Sequence, residues 1–457
     1  MAASPRQLLA ASEVPSAPLT VELETVSLPV DRVLRYLPGR RLVGLGQWHG
    51  RPVVFKCFAP EPRALREYRH EYACLQGLGE RGIAAPGCVE AWREEAGAVL
   101  VLDALDGETA AEALTGAVDA RARHALLTEL FDWLLEVLRR GCRQTDIHLD
   151  NFLRVDGHWH MLDAGACRLM SRVRPGRQRR DLARLVAQFP PEDDAVLAPL
   201  LRARGFSESG FFRALYRERI TRYRRMLAKT ERDCTEFARL RLSGAAGMVA
   251  RRQRDALLER MDGDPDQLLH DADPLKQGNS ATVVLRPEVG WVVKRYNVKS
   301  RLHGFKRRWK RSRARISWRA GHYLRWLGID TPAPVACIEE RGGGRAWLVV
   351  EQANGELLDR RVERAPLEDE QIAAFERLLS LMHRFRVSHG DMKASNFLVR
   401  GEHLILIDLD AVRFHRSGLR ARRALRRDLR RLLRNWPEEA ADRRRLAAVG
   451  DRVLGGG

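Results

Sequence analysis

The sequence predicts an α+β protein made of two tandem copies of one plan, each a small β-rich lobe followed by a mainly helical lobe. Three observations carry this. A loop skeleton occurs twice, as Gln144-Thr145-Asp146-Ile147-His148-Leu149-Asp150-Asn151 and as His389-Gly390-Asp391-Met392-Lys393-Ala394-Ser395-Asn396. Each copy has an Asp five residues before an Asn-Phe-Leu, and a second acid, Asp163 or Asp408, twelve residues past the Asn. Upstream of each stands a strand, turn and strand ending in a lysine, Lys56 or Lys294, and downstream an Arg-Asp-Leu (Arg180-Asp181-Leu182, Arg427-Asp428-Leu429) opens an Arg-rich helix. One such skeleton is weak evidence; a repeat with the same internal spacing is strong evidence of duplication. The expected division is a flexible tail over 1–23, a first unit over 24–249, a linker over 250–266 and a second unit over 267–457.

The elements follow in order. In the first unit, Val43–Gln47 and Pro52–Lys56 alternate as two strands about a turn, and Tyr68, Tyr72, Leu75 and Leu78 recur at helical spacing. Ala98–Asp103 is an apolar run of strand length, and a helix from about Ala122 to Arg140 delivers the chain to the first loop. In the second unit Gln277-Gly278-Asn279-Ser280-Ala281 is the turn, Trp291–Lys294 the strand, and Ile316, Ala320, Tyr323, Leu324 and Leu327 mark the helix. Gly328-Ile329-Asp330-Thr331-Pro332 echoes Gly82-Ile83-Ala84-Ala85-Pro86. Residues from Ala250 to Met261 read as helix, and Asp262-Gly263-Asp264-Pro265-Asp266 as linker.

Composition narrows the class. Hydrophobic residues at 45% and charged residues at 31% over 457 positions suit folded globular units rather than a disordered chain. No run of 18 apolar residues is present, so no membrane-spanning helix is expected, and the first residues lack the apolar core of a signal peptide. Seven cysteines without a C-x-x-C pair argue against a disulfide framework or zinc site and for a reducing compartment. A formal charge of +20 calls for an anionic partner.

The repeated skeleton has a chemical meaning. Transfer of a phosphoryl group needs a carboxylate to orient the attacking hydroxyl, hard oxygens to hold a metal against the phosphates, and a cation on the nucleotide. This is the order of a kinase catalytic loop and metal-binding aspartate, so each unit is expected to be protein-kinase-like, with ATP and Mg²⁺ as cofactors. In the second unit Asp391 is the expected base, Lys393 the cation on the transferred group, Asn396 and Asp408 the metal ligands, and Lys294 the nucleotide lysine. Backbone amides around Gly278 and Ser280 are expected to cover the phosphates. His389 is expected to be structural, packed under the metal-binding loop. In the first unit Asp146, Asn151, Asp163 and Lys56 take the corresponding places, with Glu71 placed on its helix to pair with Lys56. That unit has Gln144 for His389 and His148 for Lys393. The second unit lacks a helix Glu for Lys294 and has Asp410 where a glycine is usual. The second unit is therefore expected to be the main active site.

On His389–Leu398, on Ile407-Asp408-Leu409-Asp410, and on the Ser317–Leu324 helix running into Gly328–Pro332, the chain resembles the lipopolysaccharide-core kinases of Gram-negative bacteria (the Kdo/WaaP/InaA type). The resemblance covers most of the second unit well and the first loosely. It implies ATP-dependent phosphorylation of an inner-core heptose or Kdo sugar at the cytoplasmic face of the inner membrane, with the protein peripheral there. It also implies Asp391 as base, Asn396 and Asp408 as metal ligands and Lys294 on the nucleotide. The alternatives are a pseudokinase scaffold in lipopolysaccharide assembly and a RIO-like protein kinase. Only twenty residues separate Asp408 from Asp428 and no A-P-E follows, which leaves little chain for a peptide platform.

Two basic stretches bear on partners. Lys294 to Arg325 holds thirteen Lys and Arg without an acid, with Trp309 and Trp318 interleaved and Trp326 just beyond; Arg413 to Arg434 holds ten Arg against Asp428 alone. Both read as a solvated face or as docking sites for anionic lipid or core phosphates, with Lys306, Arg307, Arg308, Lys310 and Arg311 at the centre of the first. No separate nucleic-acid-binding module is visible, which argues against that partner.

Overall fold

A computed structural model describes residues 2–297, 311–342 and 344–455. The chain forms two compact units, one of residues up to Phe189 with Asp193–Arg219, the other of Pro190–Glu192 with Ile220 onward.

The first unit carries a five-stranded antiparallel sheet in the order Arg32–Leu37, Arg41–Trp48, Arg51–Phe58, Gly97–Asp103, Cys88–Glu94. Ala98, Val99, Leu100 and Val101 are all fully buried, so this strand is covered on both faces, as its unbroken apolar run requires. The helix Pro62–Glu80 starts at a proline, whose missing N–H costs nothing at that position. It buries Ala64, Tyr68, Glu71, Cys74, Leu75 and Leu78 at helical spacing, whereas Tyr72 is 38% exposed. The helix Ala120–Arg139 is capped by Asp119, whose carboxylate accepts the Ala122 N–H at 2.7 Å. Its Leu127, Leu130, Phe131 and Leu134 are fully buried, anchoring the chain that enters the first loop.

The second unit has a seven-stranded sheet in the order Phe237–Arg241, Ala245–Ala250, Pro334–Glu340, Ala346–Glu351, Trp291–Tyr296, Ala281–Arg286, Asp273–Gly278. Its last five strands, read from the far edge, repeat the order of the first unit's sheet, again with a helix (Arg313–Trp326) between the lysine strand and the next. Two additional strands, Phe237–Arg241 and Ala245–Ala250, extend one edge. The helical part is built from Asp369–Arg384, Gly418–Leu433 and Ala441–Gly455.

Three expectations change. Residues 1–23 were expected to be loose. Ala2–Ala3 instead pairs in parallel with Leu19–Glu22, which pairs with Ser27–Val30, and the intervening helix Pro5–Ala10 is closed by a Ser4/Gln7 capping box. Leu8 and Leu9 are each 1% exposed, and full burial of a leucine stabilises by about 1.5–3 kcal/mol, enough to order so short a segment. The linker expected at 250–266 is part of the second unit: Leu257, Met261 and Leu268 lie in its core. Asp266 accepts a hydrogen bond from the Trp347 indole at 2.8 Å. Asp262 and Gly263, both at positive φ, only turn the chain after the helix Arg254–Met261. The division between units accordingly falls at Arg219/Ile220, ahead of the extra strands, rather than at 249/250.

Candidate active site

In the second unit, the loop from His389 to Asn396 leaves the strand Val387–Ser388 and ends in a 3-10 turn, Ala394–Asn396. Its entry is fixed by Asp428, whose carboxylate accepts the His389 N–H at 2.7 Å and the Gly390 N–H at 3.0 Å. Burial pushes the Asp428 carboxyl above its usual range, and these two amides act against that rise. His389 is fully buried and its Nε2 meets the Ile407 carbonyl at 3.1 Å, the structural role expected of it. Gly390 sits at φ +83°, and a Cβ there would lie 2.4 Å from the Ala411 carbonyl oxygen, so only glycine fits.

Asn396 donates its side-chain N–H to the Asp391 carbonyl at 2.8 Å, and the Ile407 N–H donates to the Asn396 carbonyl at 3.0 Å. These bonds bring the end of the loop beside Asp408. Asp408 holds φ +59° and ψ +62°, an uncommon backbone conformation for a residue with a Cβ and one often kept at functional sites. Its Oδ1 accepts from Lys294 Nζ at 2.5 Å. Burial would raise the Asp408 carboxyl, but Lys294 beside it holds it below the ordinary aspartate range. Lys294 is opposed by burial yet raised to about 12 by Tyr296, Asp408 and Asp410.

The two departures noted in the sequence meet here. The helix Arg313–Trp326 offers Lys294 no Glu, but Asp410 approaches Lys294 Nζ at 3.2 Å and also pairs with Arg313, the first residue of that helix. Asp410 thus does for Lys294 what a helix carboxylate does elsewhere. Sequence reading missed this role; the signal available was the coincidence of a missing helix acid with an added acid two residues past Asp408.

Asp391 Oδ1 pairs with Arg431 Nη1, and Lys393 Nζ lies 3.6 Å from Asp391 Oδ2. Arg431 was not singled out from the sequence, since it stands among many arginines of one helix. Gly278 and Ser280 flank the turn between the strands Asp273–Gly278 and Ala281–Arg286, and Asn297 ties the turn down through the carbonyls of Ser280 (3.2 Å) and Gly278 (3.3 Å). Among the described residues no three of His, Cys, Asp and Glu cluster as metal ligands. Mg²⁺ carried with nucleotide phosphates needs only one or two protein oxygens. Asn396 Oδ1, whose amide is oriented by its bond to Asp391, and the ionised Asp408 carboxylate fit such an ion.

The first unit keeps the same frame with different contacts. Asn151 donates to the Asp146 carbonyl at 2.9 Å and Leu162 N–H to the Asn151 carbonyl at 3.0 Å. Gln144 replaces His389 by donating to the Asp163 carbonyl at 3.0 Å. Lys56 pairs with Glu71, whose side chain is 1% exposed, and Arg41 joins at 3.4 Å. His148 turns to Asp150 at 2.9 Å, and Asp163 has φ −104°, unlike Asp408. The corresponding turn of this unit, between the strands Arg32–Leu37 and Arg41–Trp48, is already engaged: Gly39 N–H donates to the Leu9 carbonyl at 2.7 Å, and Arg40 holds Glu67 at 2.5 Å.

Of the first basic stretch, Lys306, Arg307, Arg308 and Lys310, with Trp309, lie outside the described residues. Of the rest, Trp318, Arg315 and Arg319 are engaged within the unit. Trp318 is 1% exposed and donates its indole N–H to the Thr230 carbonyl at 3.2 Å, so it is core. Arg315 and Arg319 both pair with Glu231, at 3.3 and 2.7 Å. No described helix is long and apolar enough to cross a membrane.

No curated protein matches the chain. Among solved structures, WaaP in complex with acyl carrier protein superposes at TM-score 0.32 with 17% identity, over 42% of this chain and 88% of that one. The BubR1 kinase domain superposes at TM-score 0.29 with 16% identity, over 36% and 55%. Superpositions this loose leave the chemistry to the side chains described above. In sequence, residues 273–449, the span holding every element of the second site, match the model of the lipopolysaccharide kinase (Kdo/WaaP) family.

Proposed function

We propose that the second unit is an ATP-dependent phosphotransferase of lipopolysaccharide core biosynthesis, acting on a sugar hydroxyl of the inner core, a heptose or Kdo. The observation that carries this is the assembled set Asp391, Lys393, Asn396, Asp408 and Lys294 within the family-matched span. Asp391 takes the proton of the acceptor hydroxyl as its oxygen attacks the γ-phosphorus; the bond to the β,γ-bridging oxygen breaks and ADP leaves. Lys393 offsets charge on the transferred group, and Lys294 holds the α/β-phosphates against the sheet. Mg²⁺, held by Asn396 and Asp408, would neutralise the phosphate oxygens. A peptide acceptor fits less well, because the helix Gly418–Leu433 begins ten residues after Asp408, with only a 3-10 turn and the two-residue strand Arg413–Phe414 between.

The absent helix Glu and the presence of Asp410 would favour a pseudokinase, but the Lys294–Asp410 pair supports a Lys294 that is held without a helix Glu. The pseudokinase reading suits the first unit better: a phosphate-covering turn bonded to Leu9 and a His148 turned to Asp150 favour a unit that does not transfer phosphate. The net charge of +20 supports residence at an anionic membrane face, where a lipid-linked sugar is met. The test is transfer from γ-labelled ATP to purified lipopolysaccharide, with the phosphorylated sugar located by mass spectrometry. Labelling by wild type and not by Asp391→Asn is expected; labelling by both proteins sinks the assignment.

A further inference from the structure

Beside Asp391 lies a cavity of about 460 Å³ whose lining includes Arg413, His415, Arg427, Arg430, Arg431 and Arg434. That volume falls within the range of about 300–1,000 Å³ usual for small-molecule sites. Asp428 is the only acid in its wall, and both its oxygens are taken by the backbone amides of His389 and Gly390. Among the described residues Arg413, Arg427 and Arg434 make no ion pair, although arginines elsewhere in this unit (Arg313, Arg315, Arg319, Arg345) find carboxylates. The His415 imidazole is held below its ordinary value first by burial and then by Arg413 and Arg427, with Asp428 acting against them. Two elements, the strand Arg413–Phe414 and the helix Gly418–Leu433, bring these solvent-exposed guanidiniums to the lining of one concavity.

We propose that this cavity is the acceptor subsite, and that it takes the phosphate or carboxylate of an already anionic sugar, with Arg431 passing from Asp391 to that anion as the acceptor binds. The proposal deepens the phosphotransferase reading and rests on it for the word acceptor. Guanidinium forks match phosphate and carboxylate oxygens two at a time. The Arg431 exchange has a chemical purpose. While Arg431 sits on Oδ1 of Asp391, that oxygen is not free to receive a hydroxyl proton. An anion in the cavity draws the guanidinium away, so Oδ1 is freed as the acceptor binds. A neutral sugar of the same shape leaves it covered.

The experiment is calorimetric titration of the whole chain with glucose 6-phosphate at constant ionic strength, with glucose, inorganic phosphate and ATP titrated in parallel. Wild type is expected to bind glucose 6-phosphate more tightly than glucose or inorganic phosphate. Arg427→Gln/Arg434→Gln should weaken it at least ten-fold, about 1.4 kcal/mol, with ATP affinity unchanged. Asp391→Asn should tighten glucose 6-phosphate several-fold, because Arg431 no longer has a carboxylate to leave. Equal affinity in wild type and the double variant overturns the subsite; inorganic phosphate binding as well as glucose 6-phosphate overturns its assignment to a sugar; no tightening in Asp391→Asn overturns the Arg431 exchange. None of these titrations needs turnover, so they read the cavity even if lipopolysaccharide labelling fails, and a labelled core with an indifferent double variant keeps the activity while removing the subsite.

Discussion

Replacing Asp410 by Asn tests whether this acid truly takes the place of a helix glutamate. Its side chain is 8% exposed and accepts from Lys294 at 3.2 Å and from Arg313. Hydrogen bonds to charged groups contribute about 1.5–3 kcal/mol each, and leaving a buried charge unpaired costs about 3–5 kcal/mol. Neither cation is stranded here: Lys294 keeps Asp408 at 2.5 Å, and Arg313, 35% exposed, can return to water. The loss of stability should therefore lie near the lower end, about 2 kcal/mol, read as a fall in the urea midpoint at constant slope. Function should suffer more. With Asp410 neutral, Lys294 is held by Asp408 alone, and the carboxylate proposed for the metal is tied to the lysine. A fall of about 10–100-fold in kcat/KM for ATP is expected, about 1.4–2.8 kcal/mol of transition-state stabilisation, in steady-state assays at varied Mg·ATP. Wild-type kinetics in Asp410→Asn would refute the reasoning, as would faster turnover in Asp410→Gly, which restores the usual glycine.

Asp391→Asn should lower kcat by about 10²–10⁴-fold, the range for loss of a general base, with ATP affinity nearly unchanged by titration. Asp146→Asn should leave transfer at the wild-type rate, whereas Lys56→Met, which leaves the buried Glu71 with Arg41 alone at 3.4 Å, should destabilise the first unit by about 3 kcal/mol in denaturant unfolding. Gly390→Ala, forced to φ +83° with a methyl against the Ala411 carbonyl, should cost at least about 1 kcal/mol and displace the catalytic loop, seen as lost transfer with ATP binding retained. His322, packed edge-on to Trp318 with ring centroids 4.4 Å apart, has its imidazole pushed down to about 3 by burial and Arg325. Below the ordinary value of 6.5 the unfolded chain binds the proton and the folded chain does not, so stability falls as pH drops from 6.5 towards 3. His322→Phe should flatten that slope by up to one proton, about 1.4 kcal/mol per pH unit, in urea midpoints measured across the range.

Much of this was readable in the sequence because it depended on local spacing. The Asp-to-Asn interval sets a tight loop whose last side chain bonds back to the first backbone carbonyl, and both copies do so, at 2.8 and 2.9 Å. The strand at 97–103 and the helices at 62–80 and 313–326 carry their periodicity openly. What stayed hidden depended on partners distant in sequence. Ala2–Ala3 is a strand only because Leu19–Glu22 lies beside it, and two or four residues give no periodic signal. Phe237–Arg241 and Ala245–Ala250 are similarly short, the second with a glycine whose Cβ would lie 2.2 Å from the Cys337 carbonyl oxygen. The pairing of Asp410 with Lys294, 116 positions apart, follows from the left-handed turn at Asp408, which no composition rule announces. The burial of Trp318 was not legible either, because tryptophans among arginines resemble an interfacial pattern, while the burial of one face of a helix is decided by the sheet it meets.

The position of Asp410 also bears on control. In kinases whose lysine is clamped by a glutamate on a mobile helix, swinging that helix opens the clamp, and regulators exploit the movement. The first unit is wired in that manner, with Lys56 on a strand and Glu71 on a helix. In the second unit Asp410 and Asp408, the carboxylate proposed for the metal, share one short turn, two residues apart, and displacement of the helix would remove Arg313 while leaving Lys294 gripped. If the second unit transfers phosphate as proposed, movement of its helix alone would not release Lys294, and control by helix displacement is not expected of it.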